Sequence, residues 1–158
     1  TVITQIMAIC LHLDALYPGA HFLPTQPLAR AKALETLAWM NNTVHPTFTH
    51  YFMPNKFTDQ PEAQAVLKSY AAVQYRQLMG ELQQLVQTAT QAGQTWLSGS
   101  RLGPLDAYAL TLLRWGTMAG VNPDELPVLW SHVQRVAEDA AVKTVMERER
   151  LVLNLYKA

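Results

Sequence analysis

Cysteine, surplus charge and long apolar runs are all scarce in this chain of 158 residues. Its single cysteine, Cys10, excludes an internal disulfide framework and any zinc site built from several cysteines. Twelve basic residues balance twelve acidic ones, so no positive surplus indicates binding to nucleic acid or an anionic membrane. No apolar run approaches the roughly 20 residues that span a bilayer, and no signal-peptide pattern opens the chain. We therefore expect a soluble, cytoplasmic protein that binds neither nucleic acid nor membrane.

Helical periodicity is what the sequence does contain. Hydrophobic residues make up 49% of the chain, enough for the core of one domain, and they recur mostly at spacings of three and four. This pattern predicts helices over residues 6–16, 28–52, 61–92, 103–119, 126–138 and 141–149. Only residues 1–3 favour a strand. The two longest helices are expected to pair antiparallel at the centre of an all-α bundle of about six helices.

Pro46 interrupts the first long helix. Because proline lacks an amide hydrogen, the carbonyl of Asn42 loses its helical partner and a kink is expected. A kink can turn the preceding side chain, His45, into a cleft, which makes His45 the first candidate for ligand binding; the alternative is an exposed or hydrogen-bonded histidine. His45 and His50 are five residues apart and lie on different faces of the helix, so we expect no metal site.

Asp106 lies at the start of a helix that is almost free of charge. It could be an acid, a metal ligand or a structural cap. Pro104 suits the first helical position, which makes Gly103 the N-cap and places Asp106 where its carboxylate can accept the Gly103 amide hydrogen. No second carboxylate, histidine or cysteine with ligand spacing lies nearby. This pattern favours a structural cap formed by Gly103 and Asp106.

Two aromatic residues and the cysteine are further candidates. Tyr108 and Trp115 are seven residues apart and therefore lie on one helix face, where they either border a substrate pocket or serve as core aromatics. Cys10 has the apolar neighbours Ile9, Leu11 and Leu13, which favour a buried core thiol over a redox centre.

Several motifs carry a resemblance to a known family. Trp96-Leu97, Gly99 and Leu102, followed by PLDAY at 104–108 and LLRW at 112–115, resemble the capped core helix in the C-terminal domain of glutathione S-transferases, most closely the bacterial, beta-class-like members. TQIMAI at 4–9 is similar to the segment where the last strand of their thioredoxin-like domain enters a helix. VHPTF at 44–48 resembles a stretch that lines the cleft between the two domains. The resemblance covers nearly the whole chain.

This resemblance implies how the chain is organised. Residues 1–16 would be the remnant of the thioredoxin-like domain, its last strand end and final helix, and residues 17–158 the C-terminal helical domain. The rest of the N-terminal domain, which supplies the catalytic residue and most glutathione contacts, is absent from this chain. No residue is therefore predicted to be catalytic, and we expect the isolated chain to be inactive.

The resemblance also implies site residues. Gln5 would keep a contact to glutathione, the implied co-substrate, whereas His45, Tyr108 and Trp115 would line the side that binds the second substrate. Two positions depart from the family pattern: Ile6 replaces a serine that helps to hold the γ-glutamyl carboxylate, and Gly103 replaces a serine or threonine cap. The cap change costs only tenths of a kcal/mol by propensity.

The function implied for the intact protein is conjugation or reduction of apolar electrophiles with glutathione, in a homodimer. This chain would supply the hydrophobic substrate side, and no metal is expected. The alternative is a non-catalytic helical module for protein association or ligand binding, which the departure at Ile6 favours.

Overall fold

Proline begins four of the helices. Pro27, Pro61, Pro104 and Pro127 each occupy the first helical position, where the missing amide hydrogen would have no intrahelical partner. The computed structural model describes residues 1–157. Its helical segments are α1 (Ile6–Leu16), α2 (Pro27–Trp39), α3 (His45–Phe52), α4 (Pro61–Gln91), α5 (Pro104–Met118), α6 (Pro127–Ala137) and α7 (Ala140–Arg148).

These bounds confirm the all-α prediction. Because α2 and α3 are joined by a π-helical turn, they form one continuous helix, and six helices result. Within residues 1–157 no strand forms, and the only bridge pair joins Trp96 to Gly99. None of the described helices is long and apolar enough to cross a membrane.

The core is built around α5. Ten of its fifteen residues are buried, and α4, α6 and the α2–α3 helix pack around it. Tyr75 of α4 lies fully buried against α5 and donates its hydroxyl hydrogen to the Leu112 carbonyl oxygen, 2.8 Å away. A Cβ on Gly116 would lie 3.2 Å from the Tyr75 ring, so glycine permits this close approach.

The expected kink takes the form of a π-helical turn. Residues Met40–Val44 wind with the wider spacing, and the His45 amide donates to the Met40 carbonyl five residues earlier. Such single turns often accompany functional sites. The turn ends at His45, immediately before Pro46, so the histidine begins α3 with a new orientation relative to α2.

A carboxylate on helix α1 connects that helix to the rest of the bundle. Asp14 accepts hydrogen bonds from the Leu23 amide at 3.0 Å and from Arg30 at 2.7 Å. Only Cys10 is buried on α1, as predicted, and burial raises the pKa of its thiol. Its sequence neighbours Ile9 and Leu11 lie on other faces of the helix and are exposed.

Candidate functional site

The three residues predicted to line a substrate site converge where α3 meets α5. The His45 imidazole Nδ1 lies 2.8 Å from the Tyr108 hydroxyl oxygen. Its ring also meets the Trp115 indole edge to face, with centroids 4.8 Å apart. The i, i+7 spacing on α5 places both aromatic residues on the face that α3 covers.

A cavity of about 300 Å³ opens beside this cluster. That volume is at the lower end of the range for small-molecule sites. Most of its lining is apolar or aromatic, with one histidine, one arginine and one threonine: His45, Phe48, Thr49, Phe52, Met53, Arg114, Trp115, Met118 and Leu155. The arrangement can hold a small apolar molecule with a few polar groups at its edge.

Stacked rings form one wall of the cavity. Phe48 lies parallel to Trp115, with centroids 5.0 Å apart and an interplanar angle of 13°. Phe52 also stacks on Phe48, with centroids 5.6 Å apart. Three layered rings give a flat, rigid surface whose favourable partners are other aromatic or apolar groups.

Burial changes the proton affinities of the polar members. Burial lowers the pKa of His45 below its ordinary value and raises the pKa of Tyr108 to about 12. At neutral pH the phenol therefore keeps its hydrogen, and the neutral form of the imidazole is favoured.

Tyr108 differs from the expectation that it lines the substrate side. Its ring is almost fully buried and does not line the cavity. Its hydroxyl contacts His45, which does line it.

The C-terminal segment supplies a wall that sequence analysis missed. Leu155 lines the cavity, and its amide donates to the Thr117 hydroxyl oxygen at 2.9 Å. Arg114 Nε donates to the Val152 carbonyl at 2.8 Å, which ties the same segment to α5. The segment after α7 has no helical periodicity, so nothing in the sequence indicated where it would lie.

Asp106 has the contacts of a structural cap. Its carboxylate accepts hydrogen bonds from the Gly103 amide at 2.9 Å and the Leu97 amide at 2.7 Å. His132 of α6 places Nε2 3.1 Å from this carboxylate, although the alignment is not that of a hydrogen bond. Asp106 is 0% exposed and His132 3% exposed, so both are closed off from substrate. The His132 contact was missed because 26 positions separate the two residues.

The glycine cap has a steric reason. A Cβ on Gly103 would clash with the Ser98 hydroxyl, lie 2.8 Å from Ser98 Cβ and lie 3.0 Å from the Phe22 carbonyl oxygen. Ser98 therefore fills the space that a serine or threonine cap at position 103 would need. Packing against Ser98 therefore favours glycine at position 103, which propensity alone did not reveal.

Gln5 lies apart from the cavity, at the exposed start of α1. Its φ of 71° is in the left-handed region that residues other than glycine rarely adopt. Such strain, on the order of 1–3 kcal/mol, tends to be kept where a backbone group is held for function. Its side chain does not cap the helix, so the first amides of α1 have no side-chain acceptor.

A larger polar cavity of about 580 Å³ lies between the start of α2 and the loop around Ser98, and none of the predicted site residues lines it.

In the described part of the chain, no group of three or more His, Cys, Asp or Glu residues is arranged to hold a metal ion.

Comparison with known proteins shows what this chain is similar to. No family model matches the chain. Glutathione S-transferase GstA from Escherichia coli O157:H7 is 29% identical over 152 residues, which cover 96% of this chain and 70% of that protein. The chain is therefore similar to a glutathione S-transferase over nearly its whole length. It spans about seven tenths of the length of that curated relative.

Solved structures share the fold of this chain. The chain superposes on a glutathione transferase homologue from Sulfitobacter, solved with bound glutathione, with a TM-score of 0.85 at 18% identity, covering 96% of this chain and 70% of that one. It superposes on the glutathione S-transferase from Xylella fastidiosa with a TM-score of 0.81 at 25% identity, covering 96% and 72%. The fold is therefore the helical bundle of the glutathione transferase C-terminal type.

Proposed function

We propose that the intact protein acts in the cytoplasm to join glutathione to apolar electrophiles, and that this chain forms the electrophile-binding wall. The observation that carries the proposal is the convergence of His45 and Trp115 on one small aromatic cavity in a glutathione S-transferase bundle.

Conjugation with glutathione requires the electrophile to be held in position and shielded from water. In conjugation, a glutathione thiolate attacks an electrophilic carbon, a sulfur–carbon bond forms and the leaving group departs. The stacked Phe48 and Trp115 hold an apolar substrate and keep water from it, which favours attack by orienting the reacting atoms. Arg114 and His45 provide the polar groups at the cavity edge.

The glutathione contact is proposed at Gln5 and the start of α1. The first amides of this eleven-residue helix have no side-chain cap, and the helix dipole favours an anion there. The γ-glutamyl carboxylate of glutathione is such a group. Ile6 offers no side-chain donor, so only the Gln5 amide and backbone groups serve this contact.

The exposed face of α1 supports the proposed domain division at residue 16. Ile9, Leu13 and Leu16 follow the i, i+4, i+7 spacing of one helix face, and all three are exposed. We propose that residues 1–16 pack with a thioredoxin-like domain, which covers this face, and that residues 17–158 form the helical domain.

A homodimer is proposed through α4. Val66, Tyr70 and Val73 are 71%, 63% and 58% exposed and share one face at i, i+4, i+7 spacing. An apolar stripe of this kind on a long helix is typical of an interface between subunits. We expect Val66→Glu with Val73→Glu to give monomers in size-exclusion chromatography.

The test compares the product translated from the gene's own initiation codon with residues 1–158 alone. We expect that product to be retained on immobilised glutathione and to conjugate 1-chloro-2,4-dinitrobenzene. Trp115→Leu should lower kcat/KM for the conjugation and leave the retention on immobilised glutathione unchanged. Trp130→Leu, outside the cavity, should change neither kcat/KM nor retention. A folded product that neither binds glutathione nor conjugates would contradict the enzyme and support the alternative, a non-catalytic helical module.

A further inference from the structure

The His45–Tyr108 contact leaves one question open: which atom carries the hydrogen. The two atoms are 2.8 Å apart, a normal hydrogen-bond distance. Tyr108 is almost fully buried, and within residues 1–157 its hydroxyl has no other hydrogen-bond partner. The hydroxyl can donate and accept, and each neutral imidazole nitrogen does one or the other.

Only one arrangement satisfies both groups. If Nδ1 carried the hydrogen and donated to the Tyr108 oxygen, the phenolic hydrogen would be buried without an acceptor. An unmet buried donor costs about 1–3 kcal/mol. If the phenol donates to Nδ1 instead, both atoms are satisfied and the imidazole hydrogen resides on Nε2. Because burial holds the phenol in its protonated form, the donor persists through neutral pH.

We propose that Tyr108 is a positioning residue: its hydroxyl donates to Nδ1 of His45, fixes the tautomer with hydrogen on Nε2, and makes His45 a hydrogen-bond donor to a molecule in the cavity. His45 lines that cavity, and Nε2 is the ring nitrogen left free by the Tyr108 contact. The ligand class is an apolar molecule with one hydrogen-bond acceptor, such as an aryl ketone. This ligand part rests on the proposed function, whereas the tautomer does not.

The tautomer is measured on residues 1–158 by long-range ¹H–¹⁵N NMR of the histidine rings above pH 6.5. The chain has five histidines, and the His45 signals are those missing from His45→Gln. Tyr108→Phe removes the hydroxyl and keeps the ring. The matched control, Tyr51→Phe, removes a hydroxyl that donates to the Met118 carbonyl at 3.0 Å nearby.

We expect hydrogen on Nε2 in the wild-type chain and in Tyr51→Phe. Tyr108→Phe should give a mixture of tautomers and a higher His45 pKa, because the bond that favoured the neutral ring is lost. A wild-type chain with hydrogen on Nδ1 overturns the proposal even if Tyr108→Phe does not fold. An unchanged tautomer in folded Tyr108→Phe also overturns it.

The donor role is measured with two probes of matched shape. Acetophenone carries a carbonyl acceptor, and isopropylbenzene has none. We expect acetophenone to bind the wild-type chain roughly 2- to 10-fold more tightly than isopropylbenzene, and this preference to fall in Tyr108→Phe but not in Tyr51→Phe. Equal binding of both probes overturns the donor role. Binding of neither probe overturns the proposed cavity and leaves the tautomer result standing.

Discussion

At its N-terminal end, α5 carries Asp106, whose carboxylate is fully buried and bonded to two backbone amides. About two and a half turns further along, the same helix carries Trp115, which stacks on Phe48 and borders a cavity. At the first end, the Asp106 carboxylate is bonded to groups within the chain. At the second end, His45 and an aromatic surface border a cavity that is open to a ligand. One helix thus combines a rigid anchor with a site, and rigid elements hold binding groups more accurately than loops do.

The largest expected effect is at the anchor. Asp106→Ala removes the acceptor of two amide hydrogens, Gly103 and Leu97, and should lower the free energy of unfolding by about 3–5 kcal/mol. Denaturant unfolding measures the change. The control, Asp139→Ala, removes a less buried cap of α7 and should cost about 1 kcal/mol. Equal costs would mean that full burial of the Asp106 carboxylate adds nothing to the effect of an ordinary helix cap.

A second test concerns the glycine at the anchor. Gly103→Ser should destabilise the chain by about 1–3 kcal/mol, since its side chain would collide with Ser98. In a Ser98→Gly background the same substitution should cost less than half as much. A double-mutant cycle from denaturant unfolding gives this coupling. Additive costs would show that Ser98 does not determine the choice of glycine.

At the site end, the effect should appear in binding rather than stability. Trp115→Leu removes the stacked wall and should weaken the binding of 8-anilinonaphthalene-1-sulfonate roughly tenfold, about 1.4 kcal/mol. Fluorescence titration of residues 1–158 measures the affinity. Trp130→Leu is the control and should leave it unchanged. An equal loss of dye affinity in both variants would mean that the dye binds outside this cavity.

The smallest expected effect is a pH dependence of stability from His45. Because burial lowers its folded pKa, the unfolded chain takes up a proton there at higher pH than the folded chain does. The His45 contribution is therefore complete above pH 6.5 and is lost as pH falls through the lowered pKa. Tyr108 faces the same ring and stays protonated throughout, because burial raises its pKa to about 12. Arg114 is the charged residue that lines the same cavity.

His45→Gln should flatten the slope of unfolding free energy between pH 7 and 5, measured by urea titration at each pH. His12→Gln, which changes an exposed imidazole on α1, is the matched control. A slope unchanged by His45→Gln would contradict the burial effect.

Helix positions were predictable because their signals are local. Apolar spacing located the helices, Pro61 and Pro104 marked two of their starts, and the Asp106 contact to Gly103 follows from capping geometry. The meeting of Tyr108 and Trp115 with His45 followed from spacing on α5 and from the family resemblance. These are contacts within one element or between elements whose pairing the resemblance implied.

Long-range contacts were not predictable in the same way. The approach of His132 to Asp106, the seating of Leu155 on the cavity and the exclusion of a side chain at Gly103 all depend on how distant segments pack. The exposure of Ile9 on α1 shows the same limit, because periodicity identifies an apolar face without identifying what covers it.

The most direct test follows the four tryptophan indole NH signals in the product translated from the gene's own initiation codon. S-hexylglutathione is compared with glutathione. Its apolar chain should shift the Trp115 signal and leave those of Trp39, Trp96 and Trp130 in place, whereas glutathione alone should not shift Trp115. If S-hexylglutathione binds without shifting the Trp115 indole NH signal, the assignment of this cavity as the electrophile site is contradicted.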